Sequence, residues 1–217
     1  KIRLDSLKPS WLIFSDGFRK SMVSIIIKRL LDIITAAIGL IMMSPIMLLT
    51  AVLIKLDSKG TVLFKQKRVG MEGDEFLLLK FRSMREDAEL KSGPVWAKKD
   101  DDRITRVGRI IRKTRIDELP QLINVLKGDM SFVGPRPERS FFVAQLKEKI
   151  SYYGLRESVR PGVTGWAQIC YPYGASVEDA YEKLQYDLYY IKNMSFLLDL
   201  TIIFETVRVV LLGKGSR

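Results

Sequence analysis

Asp117 and Glu118 stand side by side in "RKTRIDELPQLINVLKGD", residues 112–129, with Arg112, Lys113 and Arg115 just before them and Pro120 just after. Two readings are open for the pair. Asp is a favoured helix N-cap, and Pro120 would fall in the first turn, where its missing N–H is harmless. Gly128 would then stop that helix, which predicts a helix over 118–127 with Asp117 as its cap. The other reading is chemical. Arg106, Arg109, Arg112, Lys113 and Arg115 crowd the acids, so a carboxylate there is expected to have a depressed pKa and stay ionised. The same positive field attracts phosphate. An ionised carboxylate can attack phosphorus and form an aspartyl-phosphate type intermediate. A second acid beside it can hold Mg²⁺, a hard cation that neutralises phosphate oxygens. A cap and a nucleophile are compatible roles.

The rest of the chain narrows the chemistry. Its 217 residues contain no histidine, so the commonest general base and the commonest zinc ligand are both missing. Cys170 is the single cysteine; it cannot form an internal disulfide, and with no histidine to activate it, it reads as a packing residue. Lys plus Arg outnumber Asp plus Glu by 36 to 25, a formal charge of +11. That excess points to an anionic partner: lipid headgroups, a phosphorylated substrate or nucleic acid.

Two turns downstream can aim arginines. In "GDMSFVGPRPE" Pro135 and Pro137 fix the backbone on both sides of Arg136, and in "VRPGVTGWAQ" Arg160 precedes Pro161-Gly162. A guanidinium fixed in this way presents a planar fork to a phosphate; a rigid turn without further role is the alternative for each.

The elements that must position these residues start with "IITAAIGLIMMSPIMLLTAVLI", residues 33–54, an uncharged stretch of 22 residues. That is long enough to cross a bilayer. Ser44-Pro45 lies near its middle, where proline removes a backbone donor and Ser44 can bond the freed carbonyl. Both flanks are basic, so the segment has no preferred direction across a membrane. Each arm of about 11 residues is roughly 17 Å long, about half the depth of the hydrocarbon core. A helix-break-helix that dips in and returns fits these facts; an ordinary kinked transmembrane helix fits as well. Asp32 and the Lys28-Arg29 pair are expected at the headgroups.

"TVLFKQKRVGMEGDEFLLLKFRSM" reads as a β-hairpin, with strands over 61–69 and 75–84 and a cationic group that includes Lys80. Helices are expected over 83–93, on both sides of Thr114, over 138–154 and over 176–194. The apolar stretch 195–213 is interrupted by Asp199, Glu205 and Arg208, which suits a helix at the membrane interface or packed on the domain. The fold class is therefore α+β: a membrane-associated, helix-rich domain with a small β-hairpin, a re-entrant helix-break-helix and interfacial amphipathic helices.

In order along the chain, "KRLLD", the "SP" pair, "KFRSM", "DDRITRVGRIIRKTRIDELPQLINVLKGDMSFVGPRPE" and "RPGVTGWAQ" resemble the bacterial sugar transferases, the monotopic polyprenyl-phosphate phosphoglycosyltransferases. The likeness runs from about Lys28 to Leu212. It implies that a UDP-sugar and polyprenyl (undecaprenyl) phosphate give polyprenyl-diphospho-sugar and UMP, the first membrane step of exopolysaccharide or O-antigen assembly. It makes Asp117 the nucleophile, and Glu118 a positioning or Mg²⁺-holding acid beside it. It maps phosphate contacts to Lys80, Arg112, Arg136 and Arg160, and the membrane-dipping break to Ser44 and Pro45. Residues 1–27 are then expected to be a linker from an upstream region, 28–59 the re-entrant membrane helix, and 60–217 a catalytic domain on the cytosolic face. The implied location is the cytoplasmic face of the bacterial inner membrane, with lipid and a homodimer among the implied partners. A competing function, without chemistry, is a membrane-tethered basic module that binds anionic lipid or nucleic acid. Aromatics are not interleaved with the cations as single-strand stacking would need, so no nucleic acid partner is expected.

Overall fold

The computed structural model describes residues 21–86, 88, 101–171, 174 and 176–211. Residues 1–20, most of the helix expected over 83–93, and residues 94–100, 172–173, 175 and 212–217 lie outside them.

The first helix, α1, runs over Met22–Asp57, 36 residues, with Pro45 inside it. At 1.5 Å per residue its path is about 54 Å. The expected break is therefore not an end to the helix. Proline 45 leaves the carbonyl of Ile41 without its i+4 donor, and the Ser44 hydroxyl donates to that carbonyl at 2.8 Å. The substituted hydrogen bond lets the helix continue through the pair.

Both ends of α1 are fastened to the rest of the chain. Near its start, Arg29 donates to the carbonyls of Val125 (2.6 Å) and Leu126 (2.9 Å), and Asp32 accepts from the Phe132 amide at 2.9 Å. Near its end, Asp57 accepts from the Val107 amide at 3.1 Å, and Arg82 donates to the carbonyls of Ser58 and Lys59 at 2.7 and 2.6 Å. Lys28 pairs with Asp199 at 2.6 Å. The charges expected at the headgroups thus each have a partner within the protein. Apolar residues such as Ile34, Ile41, Met42, Leu48 and Leu49 remain exposed. Only 11% of the helix's most apolar 18-residue window is buried, which a core helix of a soluble domain would not show.

Strands β1 (Leu63–Val69) and β2 (Glu75–Phe81) form the expected antiparallel hairpin, with Leu63 opposite Phe81 and Val69 opposite Glu75. A second, parallel pair was not foreseen: β3 (Ser131–Val133) beside β4 (Gly162–Thr164). Strands of three residues leave no periodicity to read. This pair joins the two proline–arginine turns: the Gly134 amide donates to Thr164 and the Gly162 amide to Pro135, both at 2.9 Å. A Cβ on Gly162 would lie 2.1 Å from the Gly134 nitrogen, so the close approach needs glycine.

The helices are α2 (Arg106–Lys113), α3 (Gln121–Lys127), α4 (Ser140–Lys149), α5 (Trp166–Cys170), α6 (Val177–Asn193) and α7 (Phe196–Leu211). A capping box between Ser176 and Asp179 starts α6. The main core gathers Phe142 and Leu146 of α4, Leu184, Leu188 and Tyr190 of α6, and Ile202 of α7. A second core packs Ala36 of α1 on Leu78, Leu122, Val125 and Met130. Helix α7 exposes Phe196, Leu197, Leu200, Phe204 and Val207 on its other side. Cys170 is half-buried and its thiol is pushed up by burial, in line with a packing role.

Candidate active site

The acids are positioned by a turn that the capping reading did not anticipate. Helix α2 starts on Thr105, whose hydroxyl accepts from the Gly108 amide at 2.9 Å, and stops at Thr114. Arg115 then takes a left-handed conformation (φ 59°), uncommon for a residue with a side chain. It redirects the chain into a 3-10 turn, Ile116–Glu118, closed by Glu118 N–H to Arg115 and Leu119 N–H to Ile116 at 3.1 Å each. Pro120, not Asp117, is the N-cap of α3, which begins at Gln121 rather than Glu118. Gly128 (φ 97°) closes α3 as expected. The Asp117 carboxylate is therefore not used as a cap.

Nor does it bond elsewhere among the described residues. Asp117 is 8% exposed, and its carboxylate makes no hydrogen bond or ion pair among the described residues. Glu118 is the opposite case. Its Oε1 accepts from Lys80 Nζ at 2.9 Å and Arg136 Nη2 at 2.5 Å, and Arg115 lies 3.8 Å from its Oε2. The two neighbours are driven apart in acidity. Burial, the largest influence on Asp117, raises its pKa despite the charges of Lys80, Arg112 and Arg136. Burial also acts to raise Glu118, but Arg136 and Lys80 outweigh it and hold that carboxyl well below the usual range. The depressed pKa expected of Asp117 thus belongs to Glu118, because the cations touch Glu118 directly. Burial lowers Lys80, and Glu118 only partly offsets it.

Several residues hold this geometry. Asn124 of α3 grips β2 through the Leu79 amide (3.0 Å) and the Leu77 carbonyl (2.8 Å), which fixes where Lys80 emerges. The hairpin in turn holds the Arg136 turn: Arg68 donates to the Pro137 carbonyl and the Val69 amide to Glu138, at 3.0 Å each. Arg156 was not singled out by sequence. It donates to the Arg136 carbonyl at 2.7 Å and pairs with buried Asp187 at 3.0 Å, and burial pushes the Asp187 carboxyl up to about 6. No local signal links residues 31 positions apart.

Of the expected site residues, Lys80, Arg136, Asp117 and Glu118 converge. Arg112, half-buried in the last turn of α2, acts on Asp117 by its charge and its guanidinium has no hydrogen bond or ion pair among the described residues. Arg160 is elsewhere: its Nε donates at 3.0 Å to the Gly128 carbonyl, at the far end of α3. Among the described residues no three His, Cys, Asp or Glu side chains gather as a metal cage. Mg²⁺ needs only one or two carboxylates when phosphates and waters complete its shell. The unpartnered Asp117 and the loosely held Oε2 of Glu118 meet that requirement.

A protein-family model described as bacterial sugar transferase matches residues 23–213. The UDP-N-acetylgalactosamine-undecaprenyl-phosphate N-acetylgalactosaminephosphotransferase of Aeromonas hydrophila is 48% identical over the whole chain, which covers 50% of that protein. The UDP-glucose:undecaprenyl-phosphate glucose-1-phosphate transferase of Klebsiella pneumoniae is 45% identical over 89% of the chain and 42% of its own length. The uncharacterized sugar transferase EpsL of Bacillus subtilis is 43% identical over 88% of the chain and 90% of its own length. The chain thus spans about half the length of the first two relatives or less.

Proposed function

The chain belongs to the bacterial sugar transferase family, and from that we propose that it moves a sugar-1-phosphate from a UDP-sugar to polyprenyl phosphate and releases UMP. The observation that carries the reading is Asp117: a buried carboxylate with no partner among the described residues, beside an acid that holds two cations in place. In the first step an Asp117 oxygen attacks the sugar-linked phosphorus of the UDP-sugar. A carboxyl–phosphate bond forms, the phosphoanhydride bond breaks, and UMP leaves with its electron pair. In the second step an oxygen of the lipid phosphate attacks the same phosphorus, the bond to Asp117 breaks, and polyprenyl-diphospho-sugar is released. Arg112 and Arg136 offset the diphosphate charge, and Lys80 with Glu118 fixes Arg136 in register. Asp117 and Glu118 would hold a magnesium ion, whose chemistry there is to neutralise phosphate oxygens that repel the attacking carboxylate.

Only the ionised carboxylate attacks, and burial raises the Asp117 pKa. A raised carboxyl takes up its proton earlier as pH falls. In the protein without Mg²⁺ its titration, followed by carbon-13 NMR of labelled aspartate in wild type against Asp117→Asn, is therefore expected above the ordinary aspartate value of about 4. A value at or below that would remove burial as the control on Asp117.

Membrane attachment follows from α1. Residues near its two ends, Arg29 and Asp32 on one side and Asp57 on the other, are about 40 Å apart along the helix, and all bond to the same body of protein. That arrangement supports a helix lying in one leaflet, with the chemistry at the cytoplasmic headgroups. Single cysteines placed at exposed Ser21 and Lys59 in a Cys170→Ser background are expected to react with an impermeant thiol reagent from one and the same side. Labelling from opposite sides would establish a span.

The activity is tested by UMP release from a panel of UDP-sugars with undecaprenyl phosphate in vesicles. UDP-N-acetylgalactosamine and UDP-glucose come first, the sugars named for the relatives. No UMP from any of them, with lipid binding retained, would favour a binding module.

A further inference from the structure

The Arg136 side chain reaches Glu118, but its main chain is held from another direction. Arg156, in the 3-10 turn Tyr153–Ser158, spends one nitrogen on two contacts: Nη2 donates to the Arg136 carbonyl at 2.7 Å and lies 3.0 Å from Asp187 Oδ2 on α6. A terminal guanidinium nitrogen carries two N–H groups, so both contacts are met at once. Nη1 donates to the Tyr153 hydroxyl at 2.5 Å, and the guanidinium carbon stands 5.0 Å from the centre of the Tyr153 ring. Arg156 is thus fixed on both sides, and the Asp187 side chain that anchors it is only 4% exposed.

Packing alone does not set this turn. A cavity of about 20 Å³ lies against it, with Pro135, Arg136, Pro137, Glu138, Arg156 and Glu157 in its lining. Glu157 Oε1 is buried there without a hydrogen-bond partner among the described residues. A gap forfeits the contacts that would otherwise press on the turn, so hydrogen bonds decide where its backbone sits. Those from Arg68 and from the Val69 and Gly162 amides fall on Pro137, Glu138 and Pro135. The bond from Arg156 falls on Arg136 itself.

We propose that Asp187 is a positioning residue for phosphosugar transfer: through Arg156 it sets the Arg136 backbone, and with it the guanidinium that faces the diphosphate. The inference rests on the reading of Asp117 as nucleophile and Arg136 as a diphosphate contact. The relay depends on an ionised Asp187, because a charge-assisted bond is what draws Arg156 against α6. Burial pushes the Asp187 carboxyl up to about 6, against the opposing charge of Arg156. The charged and titratable groups that face it are Arg156 and Tyr153 of the 3-10 turn, Glu138 beyond the Arg136 turn, and Lys183 on its own helix. As pH falls through about 6 the carboxylate takes up a proton, Arg156 loses its anionic partner, and its hold on the Arg136 carbonyl loosens.

The test is the single-turnover rate of phosphosugar adduct formation, with Mg²⁺ and UDP-sugar but no lipid acceptor, so that no acceptor phosphate titrates. It is read from about pH 5 to about pH 8. The wild-type rate is expected to fall as pH drops through about 6. Asp187→Asn fixes the neutral state. Its rate at about pH 8 is expected about 10- to 100-fold below wild type, the scale of a misplaced contact, and the inflection near 6 is expected to vanish. In an Arg136→Ala background the same substitution is expected to cost nothing further, because the route through Arg136 is already gone. A pair that only holds the fold together would cost as much in both backgrounds and leave the profile unmoved; either result overturns the proposal. A wild-type profile with no inflection near 6 overturns it as well, even where the variant does not fold. Wild-type protein separates the two levels: no adduct at any pH removes the nucleophile and the relay together, whereas wild-type adduct with an unchanged Asp187→Asn removes the relay alone.

Discussion

Asp117→Asn is expected to lower UMP release by at least about 10⁴-fold, the scale seen when a nucleophile is lost, with no loss of stability. The amide has the shape of the carboxyl it replaces, so packing is kept. Among the described residues the carboxylate has no partner to lose. Its pKa is raised in the folded protein, chiefly by burial, so its ionised form is disfavoured by folding, and a neutral isostere is expected to melt at the same temperature or higher. A structural acid would behave in the opposite way, with activity largely kept and stability lost. Melting temperature, vesicle binding and UMP release, measured together, separate the two. A variant with near wild-type turnover would remove Asp117 from the chemistry.

Glu118→Gln is expected to act on stability and activity together. Glu118 is the common partner of Lys80 and Arg136, and its side chain is only 11% exposed. Removing one member of a largely buried charge cluster leaves the others uncompensated, a cost of about 3 kcal/mol. Arg136 also loses its tether, so the phosphate contacts lose register and turnover is expected to fall about 100-fold. The pH dependence has a definite sign. The folded-state carboxyl sits well below its ordinary value because Arg136 and Lys80 outweigh burial. Its stabilising contribution is complete above the unfolded-state value of about 4.3 and disappears as pH falls through the folded one. The stability gap between wild type and Glu118→Gln is thus expected to narrow below about pH 4. A gap that is constant from pH 7 to pH 3 would mean that the ion pairs contribute nothing.

The long elements were legible in sequence because their patterns repeat. The hairpin, the helix over 176–194 and the Gly128 stop each depend on near neighbours, and each appears where expected. What failed depends on distant partners. Asp117 has the local signature of a cap, yet Arg115 in a left-handed conformation builds a 3-10 turn that satisfies the amides by itself. The partners of Lys28, Arg29 and Asp32, which are Asp199, the α3 carbonyls and the Phe132 amide, lie far along the chain and left no mark in the sequence. The proline–arginine turns were recognisable as a pair, but not as adjoining strands, and only Arg136 reaches the acids while Arg160 closes the far end of α3.

Intact mass of the protein mixed with Mg²⁺ and a UDP-sugar, without lipid acceptor and quenched within one turnover, bears most directly on the chemistry. One added phosphosugar is expected, located on Asp117 by fragmentation, absent from Asp117→Asn and discharged when polyprenyl phosphate is supplied. Unmodified protein at every time point, while UMP and lipid-linked product accumulate once acceptor is present, would contradict covalent transfer through Asp117.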